Sequence, residues 1–271
     1  MLTPHTSSSL EYWYFKLNCR EVALLVDWIE RRKQGEHWLR MSIHAPGHRQ
    51  VLFNRIEMFM PDDNFLAGNR TTGHVGDVAW DLEIDPGPDQ IKPDLFPASL
   101  LRVLDLFSVS APRARFKGHI TVGTQTVNVD NAPGLVSHYW GRRLAPEWWW
   151  ISANQFDNDD MAVECCVLKS GAWGLPLSLS VAYLYLTYQK KSRLFVVPFG
   201  LANVKGTPQK FTVRIQPFGH GAVVLKCAGR AYGDFGEGII NTLVGDLEVW
   251  IGDVCVGRAT GTAGLERRAK M

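Results

Sequence analysis

The chain has 271 residues, of which 46% are hydrophobic and 21% are charged, and its formal net charge is +2. These values are typical of a globular protein with room for one large β domain or two of average size. A nearly neutral chain without a basic stripe is not expected to bind nucleic acid or a charged membrane surface.

The opening sequence MLTPHTSSSLEYWYF lacks a basic region followed by an apolar run, so we expect no signal peptide. No uncharged run of about 20 apolar residues is present, which predicts no transmembrane segment. The five cysteines form no C-x-x-C pair, a pattern that favours free thiols in a reducing compartment. We therefore expect a cytoplasmic monomer or homodimer without metal or cofactor. The final ERRAK predicts a solvated basic tail.

Short segments rich in β-branched and aromatic residues, separated by Gly, Pro or Asp turns, dominate the chain. The predicted strands are Tyr12–Leu17, Val22–Ile29, Trp38–Ile43, Val51–Met58, Val78–Ile84, Phe116–Val122, Trp148–Asn154, Ala162–Leu168, Val181–Tyr188, Leu194–Leu201, Phe211–Ile215, Val223–Cys227 and Leu247–Ile251. Only Pro97–Phe107 has leucines at helical spacing. Strands without intervening helices predict an all-β fold of antiparallel barrels or sandwiches.

The two halves of the chain resemble each other. Each contains a Glu followed by an aromatic strand, then a turn and a second apolar strand, and each ends in similar Gly-containing segments. The matched positions are Glu11–Phe15 with Glu147–Ile151, Gly123 with Gly252, and Gly134-Leu135 with Gly264-Leu265. This repeat predicts two related β units in tandem, residues 1–143 and residues 144–271.

The stretch Ser137–Asn158 joins the two predicted units and holds four of the ten tryptophans. Strand alternation places Trp148, Trp150 and Asn154 on one face and Trp149 on the other. Two indoles and an amide suit an amphipathic pocket, because the rings give shape and the amide gives orientation, and pockets form preferentially where domains meet. The alternative is that these tryptophans belong to the core of a β-sandwich.

Several short motifs resemble those of the tocopherol cyclases. The matching residues are Trp140-Gly141, Trp148-x-Trp150 and Asn154 for the N-W-G … W-F-W-x-x-x-N motif, Trp13-Tyr14-Phe15-Lys16 for the G-W-Y-F-K opening, and Gly245-x-Leu247 for the final G-x-L-x-L strand. The run His138-Tyr139-Trp140-Gly141 is similar to the H-x-W-G version in carotenoid hydratases (hydroxyneurosporene synthases). Decalin-forming Diels–Alderases belong to the same broad lipocalin-like group.

The resemblance touches the start, middle and end of the chain. It implies two lipocalin-like β domains with an apolar pocket for polyene or prenylated substrates and no redox cofactor. The residues implied to contact the substrate are Trp13, Tyr139, Trp140, Trp148 and Trp150. One departure concerns the hydratases, which carry a Tyr-x-Asp on the next strand, where residues 163–167 of this chain are VECCV.

Three polar residues are candidates for the chemistry: His138, Asn154 and Glu164. An imidazole is too weak an acid to protonate an isolated alkene, but it can donate a hydrogen bond or orient a carboxylic acid. Alternatively, His138 is a surface histidine in a connector. If Glu164 faces inward, burial raises its pKa and makes it a general acid. If it faces outward, it is a solvated position of an alternating strand.

The first hypothesis is a cofactor-independent cyclase of a hydrophobic polyene or prenylated metabolite, acting by acid or by a pericyclic (4+2) reaction. Orientation of the substrate supplies most of the rate, and the indoles of Trp140, Trp148 and Trp150 shape the pocket and shield positive charge. Two alternatives are hydration of an isoprenoid double bond and non-catalytic carriage of a hydrophobic ligand in a lipocalin-like barrel.

Overall fold

The computed structural model describes residues 5, 7–45, 48–52, 65–92, 106–142, 144–158, 160–171, 178–197 and 201–269. Within these ranges the chain consists of β-strands and one short 3-10 helix, Arg32–Gln34, without any α-helix. The all-β prediction is confirmed. Most of the predicted helix Pro97–Phe107 lies outside the described residues, but its last two residues begin a strand instead. None of the described helical residues forms a helix with the length and apolarity to cross a bilayer.

The chain divides into two compact units, the first of which ends at Arg142. The described strands of unit 1 are β1 (Leu10–Asn18), β2 (Ala23–Arg31), β3 (Glu36–Ala45), β4 (His48–Leu52), β5 (Phe65–Ala67), β6 (Arg70–Val75), β7 (Val78–Asp85), β8 (Leu106–Val122) and β9 (Gln125–Gly141). They form one antiparallel sheet in the order β4-β3-β2-β1-β9-β8-β7-β6-β5. The first and last strands of the unit, β1 and β9, are therefore neighbours.

Unit 2 has the same plan. Its described strands are β10 (Glu147–Ala153), β11 (Ala162–Gly171), β12 (Ser178–Tyr188), β13 (Lys191–Val197), β14 (Ala202–Thr207), β15 (Lys210–Ile215), β16 (Val223–Ala228), β17 (Gly233–Gly236), β18 (Ile239–Ile251) and β19 (Val254–Arg268). Their order is β13-β12-β11-β10-β19-β18-β16-β15-β14, with β17 paired to β18. Two β units in tandem are confirmed, with β1 equivalent to β10, β2 to β11 and β9 to β19.

Strand register corrects one detail of the predicted repeat. Phe15 of β1 lies opposite Val136, and the equivalent Ile151 of β10 lies opposite Leu265. Leu265 is therefore the counterpart of Val136 and not of Leu135, which the sequence match pairs with it. The shift of one residue matters because successive residues of a strand point to opposite faces.

Each unit has a hydrophobic core on one face of its central strands. Phe15, Leu17 and Trp28 belong to the core of unit 1, and Trp149 and Ile151 to the core of unit 2. The opposite faces of β1 and β10 are buried as well. Buried polar groups must find hydrogen-bond partners, and these second faces hold several of the buried polar side chains.

Strand β9 was missed by the strand prediction, although its sequence entered the repeat. It contains Asp130, Asn131 and Pro133, residue types that favour turns, and Asn131 has a positive φ of 52°. The strand continues because its C-terminal half pairs residue by residue with β1. Pairing with a strand distant in sequence outweighs the local preference.

All five cysteines are free. Cys165, Cys166 and Cys227 are buried, and burial raises the pKa of each thiol. Cys19 in unit 1 and Cys255 in unit 2 are partly exposed.

Candidate active site

Unit 1 contains four of the predicted site residues, Trp13, His138, Tyr139 and Trp140. Trp13 lies opposite His138 on the neighbouring strand, and their rings stack with centroids 4.8 Å apart. Trp140 lies on the same face, with its ring centroid 4.9 Å from that of His138. Tyr139 faces the other way and stacks on Tyr14 at 5.9 Å. His138 is fully buried, so the alternative of a surface histidine in a connector is wrong.

Charged groups surround this ring cluster. Glu11 lies opposite Trp140, and Arg32 forms ion pairs with Glu11 at 3.2 Å and with Glu30 at 2.7 Å. Arg32 also donates to the backbone oxygen of His5 at 2.6 Å, and the His5 ring stacks on Trp140 at 4.1 Å. Arg32 thus forms ion pairs with both carboxylates, and the rings stack on one another. Both kinds of contact stabilise this end of the sheet.

Unit 2 holds Trp148, Trp150 and Glu164 on one face of β10 and β11, opposite the hydrophobic core. Trp149 points to the other face, where its ring centroid lies 4.5 Å from that of Phe211. The predicted division of the tryptophans is therefore confirmed. All three are at most 8% exposed.

Strand register arranges the polar and aromatic side chains of this face in rows. One row contains Tyr183, Cys166, Trp150, Glu266 and Asn241, from five neighbouring strands. The next row contains Tyr185, Glu164, Ser152 and Gly264. Directly opposed residues of antiparallel strands share a face, so the two rows lie side by side on one face of the sheet.

Glu164 lies on this face of the sheet and is fully buried. The alternative of a solvated Glu164, considered from the sequence, is therefore excluded. The hydroxyl of Tyr183 donates a hydrogen bond to Glu164 Oε1 at 3.0 Å. Tyr183 belongs to β12, the strand beside β11. A phenol and a carboxyl are thus brought together although the sequence lacks the Tyr-x-Asp of the hydratases. The alternating tyrosines Tyr183 and Tyr185 were the signal available in the sequence.

Glu266 is a second carboxyl that the sequence interpretation missed. It is 7% exposed. Trp148 Nε1 donates to Oε1 at 2.8 Å, and Asn241 Nδ2 donates to Oε2 at 3.1 Å. The predicted solvated tail ERRAK is therefore wrong at its first residues, because β19 extends to Arg268 and pairs with both β10 and β18.

Glu164 and Glu266 project from the same face, on the two strands that flank β10. Burial raises the pKa of the Cys166 thiol first, and electrostatic interactions with Cys165, Glu164 and Glu266 raise it further. Asn154 directly follows the last residue of β10 and is partly buried. His138 belongs to unit 1 and Glu164 to unit 2, so the catalytic candidates are divided between the units. Among the described residues, no group of His, Cys, Asp or Glu side chains is arranged to hold a metal ion.

No protein-family model matches the chain. A segment of 90 residues, 33% of the chain, is 33% identical to the uncharacterized protein Rv0493c of Mycobacterium tuberculosis strain H37Rv. The uncharacterized protein MT0513 of strain CDC 1551 matches to the same extent. The match spans 22% of the length of these relatives.

Two solved structures share the architecture of the whole chain. A proposed AttH of Nitrosomonas europaea aligns over 99% of this chain and 94% of its own, with a TM-score of 0.56 and 13% identity. Kievitone hydratase of Nectria haematococca aligns over 97% of this chain and 89% of its own, with a TM-score of 0.60 and 9% identity. At such low identity the likeness establishes the fold alone, and the chain has the lipocalin-like all-β fold.

Proposed function

We propose that the protein is an enzyme that protonates a carbon–carbon double bond of a hydrophobic polyene or prenylated substrate, after which a nucleophile of the same substrate closes a ring. The observation that carries the proposal is the buried Glu164, hydrogen-bonded by Tyr183 beside Trp150. Removal from water disfavours the charged form of a carboxyl, and a neutral carboxyl is what a proton donor to an alkene must be.

The surroundings of Glu164 suit the intermediate that protonation creates. Transfer of the proton to the less substituted alkene carbon leaves a tertiary carbocation. The indole of Trp150 lies on the same face as Glu164, and a desolvated indole stabilises a cation by about 2 kcal/mol. The neighbouring Trp148 ring already has the Arg268 guanidinium 5.1 Å from its centroid. Tyr183 then donates to a carboxylate instead of a neutral acid, which strengthens its hydrogen bond. Attack by a substrate hydroxyl forms the ring, and the product has the mass of the substrate.

Addition of water to the same cation is a second candidate reaction. The Tyr183–Glu164 pair supports it, because the pair combines a phenol with a carboxyl, as the Tyr-x-Asp of the carotenoid hydratases does. The fold shared with kievitone hydratase supports it too. Both reactions use the same acid and differ only in the nucleophile, whereas a pericyclic reaction needs no acid.

The test uses ortho-prenylphenol as substrate and mass spectrometry of the products. Cyclisation gives a dimethylchroman of unchanged mass, and hydration gives a tertiary alcohol heavier by one water. Glu164→Gln is expected to lower turnover roughly 100- to 10,000-fold, the usual contribution of a general acid. The control is Glu147→Gln, because Glu147 forms a partly exposed ion pair with Lys169.

Two outcomes decide against the proposal. If Glu164→Gln turns over normally while Trp150→Ala is inactive, the acid mechanism is wrong and the pericyclic one gains. If the wild-type protein binds the phenol and returns it unchanged, the protein is a carrier.

A further inference from the structure

We propose that Glu266 is the base of this reaction and accepts the proton of the attacking nucleophile after Glu164 has donated its own. The inference rests on the function proposed above. It assigns a catalytic residue at the C-terminal end of the chain, on the last strand of unit 2.

The two carboxyls lie on either side of strand β10. Glu164 of β11 is opposite Ser152, and Glu266 of β19 is opposite Trp150. Both project from the same face, and the residues that they oppose on β10, Ser152 and Trp150, are two positions apart along the strand. The next residue on this face of β19 is Gly264, which lies opposite Ser152 of β10. Because both residues are small, this row places no large side chain between the two carboxyls. This spacing suits an acid and a base that act on neighbouring atoms of one substrate.

Different hydrogen-bond partners assign the two roles. Both oxygens of Glu266 accept from nitrogen donors, the indole of Trp148 and the amide of Asn241. An ionised carboxylate only accepts hydrogen bonds, and an indole N–H only donates them, so these contacts suit an ionised Glu266. Glu164 is bonded by the hydroxyl of Tyr183, which can donate or accept and therefore suits a carboxyl that changes protonation state.

The proposed step balances without any other reactant. The alkene π electrons form a C–H bond with the proton of Glu164, and the substrate oxygen uses a lone pair to form the C–O bond. The O–H bond breaks, and its proton passes to Glu266. One proton has then moved from Glu164 to Glu266, and exchange with water restores both groups.

Glu266→Gln is a suitable variant because the site accommodates an amide. Trp148 can still donate to the remaining carbonyl oxygen. Asn241 Oδ1 is buried and has no hydrogen-bond partner among the described residues, so rotation of the Asn241 amide lets this oxygen accept from the introduced NH2 group. The assignment of N and O in such amides follows the hydrogen-bond network, and the variant is expected to fold.

The first experiment follows ortho-prenylphenol in D2O. Glu266→Gln is expected to form product at least 100-fold more slowly, yet to return prenylphenol that carries deuterium, because Glu164 still protonates the alkene and removes a proton again. Glu164→Gln is expected to lose both product and deuterium exchange. Glu248→Gln serves as the matched control, since Glu248 forms an exposed ion pair with Arg258.

A second experiment does not depend on turnover. Tryptophan fluorescence measures binding of ortho-(2-dimethylaminoethyl)phenol, whose ammonium group stands in for the carbocation, and of neutral ortho-isopentylphenol. Glu266→Gln is expected to weaken binding of the ammonium probe about 30-fold or more, as loss of a buried charged partner does, and to bind the neutral probe as the wild-type protein does.

The outcomes separate the two proposals. Normal product formation, or unchanged binding of the ammonium probe, by Glu266→Gln alongside an inactive Glu164→Gln overturns the base and leaves the acid in place. Normal turnover by Glu164→Gln overturns the proposed function itself. Absence of both conversion and deuterium exchange in the wild-type protein counts against the proposed function as well.

Discussion

The two units bury different charges at equivalent positions of their two sheets. In unit 1 the row that crosses β1 at Tyr14 contains Arg40, Asp27, Tyr14 and Ser137. The equivalent row of unit 2 contains Tyr183, Cys166, Trp150 and Glu266. Unit 1 thus places a cation where unit 2 has a tyrosine, and a serine where unit 2 has a carboxyl.

The buried carboxyls of the two units accept hydrogen bonds from donors of different charge. Arg40 forms an ion pair with Asp27 at 3.0 Å and donates to the hydroxyl of Tyr12 at 2.7 Å. Glu164 and Glu266 instead accept from neutral donors, Tyr183 for one and Trp148 for the other. The charge of Arg40 opposes protonation of Asp27, whereas the hydrogen bonds from Tyr183 and Trp148 bring no charge to the carboxyls that accept them. The comparison therefore favours a structural role for the buried ion pair of unit 1 and supports the proposed catalytic role of the buried carboxyls of unit 2.

The largest expected effect follows from removal of the cation in unit 1. Arg40→Met leaves Asp27 buried without its charged partner and is expected to lower the free energy of unfolding by roughly 3–5 kcal/mol, as measured by urea denaturation. The double variant Asp27→Asn with Arg40→Met is expected to recover most of the loss. If the double variant is as unstable as Arg40→Met, the uncompensated charge is not the cause.

The same variant has a pH dependence of known sign. Burial already raises the pKa of Asp27 above 3.8, against the opposing effects of Arg40 and Tyr12, and loss of Arg40 raises it further. The folded state then binds a proton that the unfolded state has lost, so stability falls as pH rises through this window. The destabilisation by Arg40→Met is expected to be smaller near pH 4 than near pH 7.

A second test concerns Lys16, whose counterpart in unit 2 is Ser152. Lys16 is 1% exposed, and burial lowers its pKa from 10.5 to about 7. Between these values the unfolded chain holds a proton that the folded chain lacks, so wild-type stability rises with pH. Relative to Lys16→Met, the wild-type protein is expected to gain about 2 kcal/mol between pH 7 and pH 9, at about 1.4 kcal/mol per pH unit. Parallel stability curves for the two proteins would contradict the lowered pKa.

Smaller effects are expected at the equivalent positions Tyr12 and Trp148, each of which contacts a network through one polar atom. Tyr12→Phe and Trp148→Phe are each expected to cost about 1–3 kcal/mol, the usual cost of an unmatched buried hydrogen-bonding group. Only Trp148→Phe is expected to lower turnover of ortho-prenylphenol as well. Equal loss of turnover in both variants would remove the functional difference between the units.

The smallest effect is expected at Glu147 and Lys169, whose side chains are 26% and 31% exposed. Lys169→Met is expected to lower the free energy of unfolding by about 0.5 kcal/mol, and high salt to reduce the difference, as for other surface ion pairs. A loss comparable to that of Arg40→Met would show that exposure does not separate the two ion pairs.

Alternation along one strand was the most reliable guide from the sequence. A period of two suffices to place Trp149 in the core and Trp148 and Trp150 on the opposite face, because it depends on neighbouring residues alone. The tandem repeat was predictable for the same reason, since similar strands recur in the same order. The roles of His138, Asn154 and Glu164 in catalysis stay predictions.

Contacts between distant strands could not be predicted. Trp148 and Glu266 are 118 residues apart, and their hydrogen bond depends on the pairing of β10 with β19. A shift of one residue in that pairing would turn Glu266 to the opposite face. Tyr183 meets Glu164 through register too, so the alternating tyrosines were visible in the sequence but their contact with Glu164 was not.

The distribution of cysteines places one partly exposed thiol in each unit. Thiol reagents attack the thiolate, so Cys165, Cys166 and Cys227, buried and with raised pKa values, are protected from modification. Cys19 and Cys255 are partly exposed, and each unit contains one of them. A donor and an acceptor dye can therefore be attached to the natural chain, and energy transfer between them would report the separation of the units while a ligand is titrated.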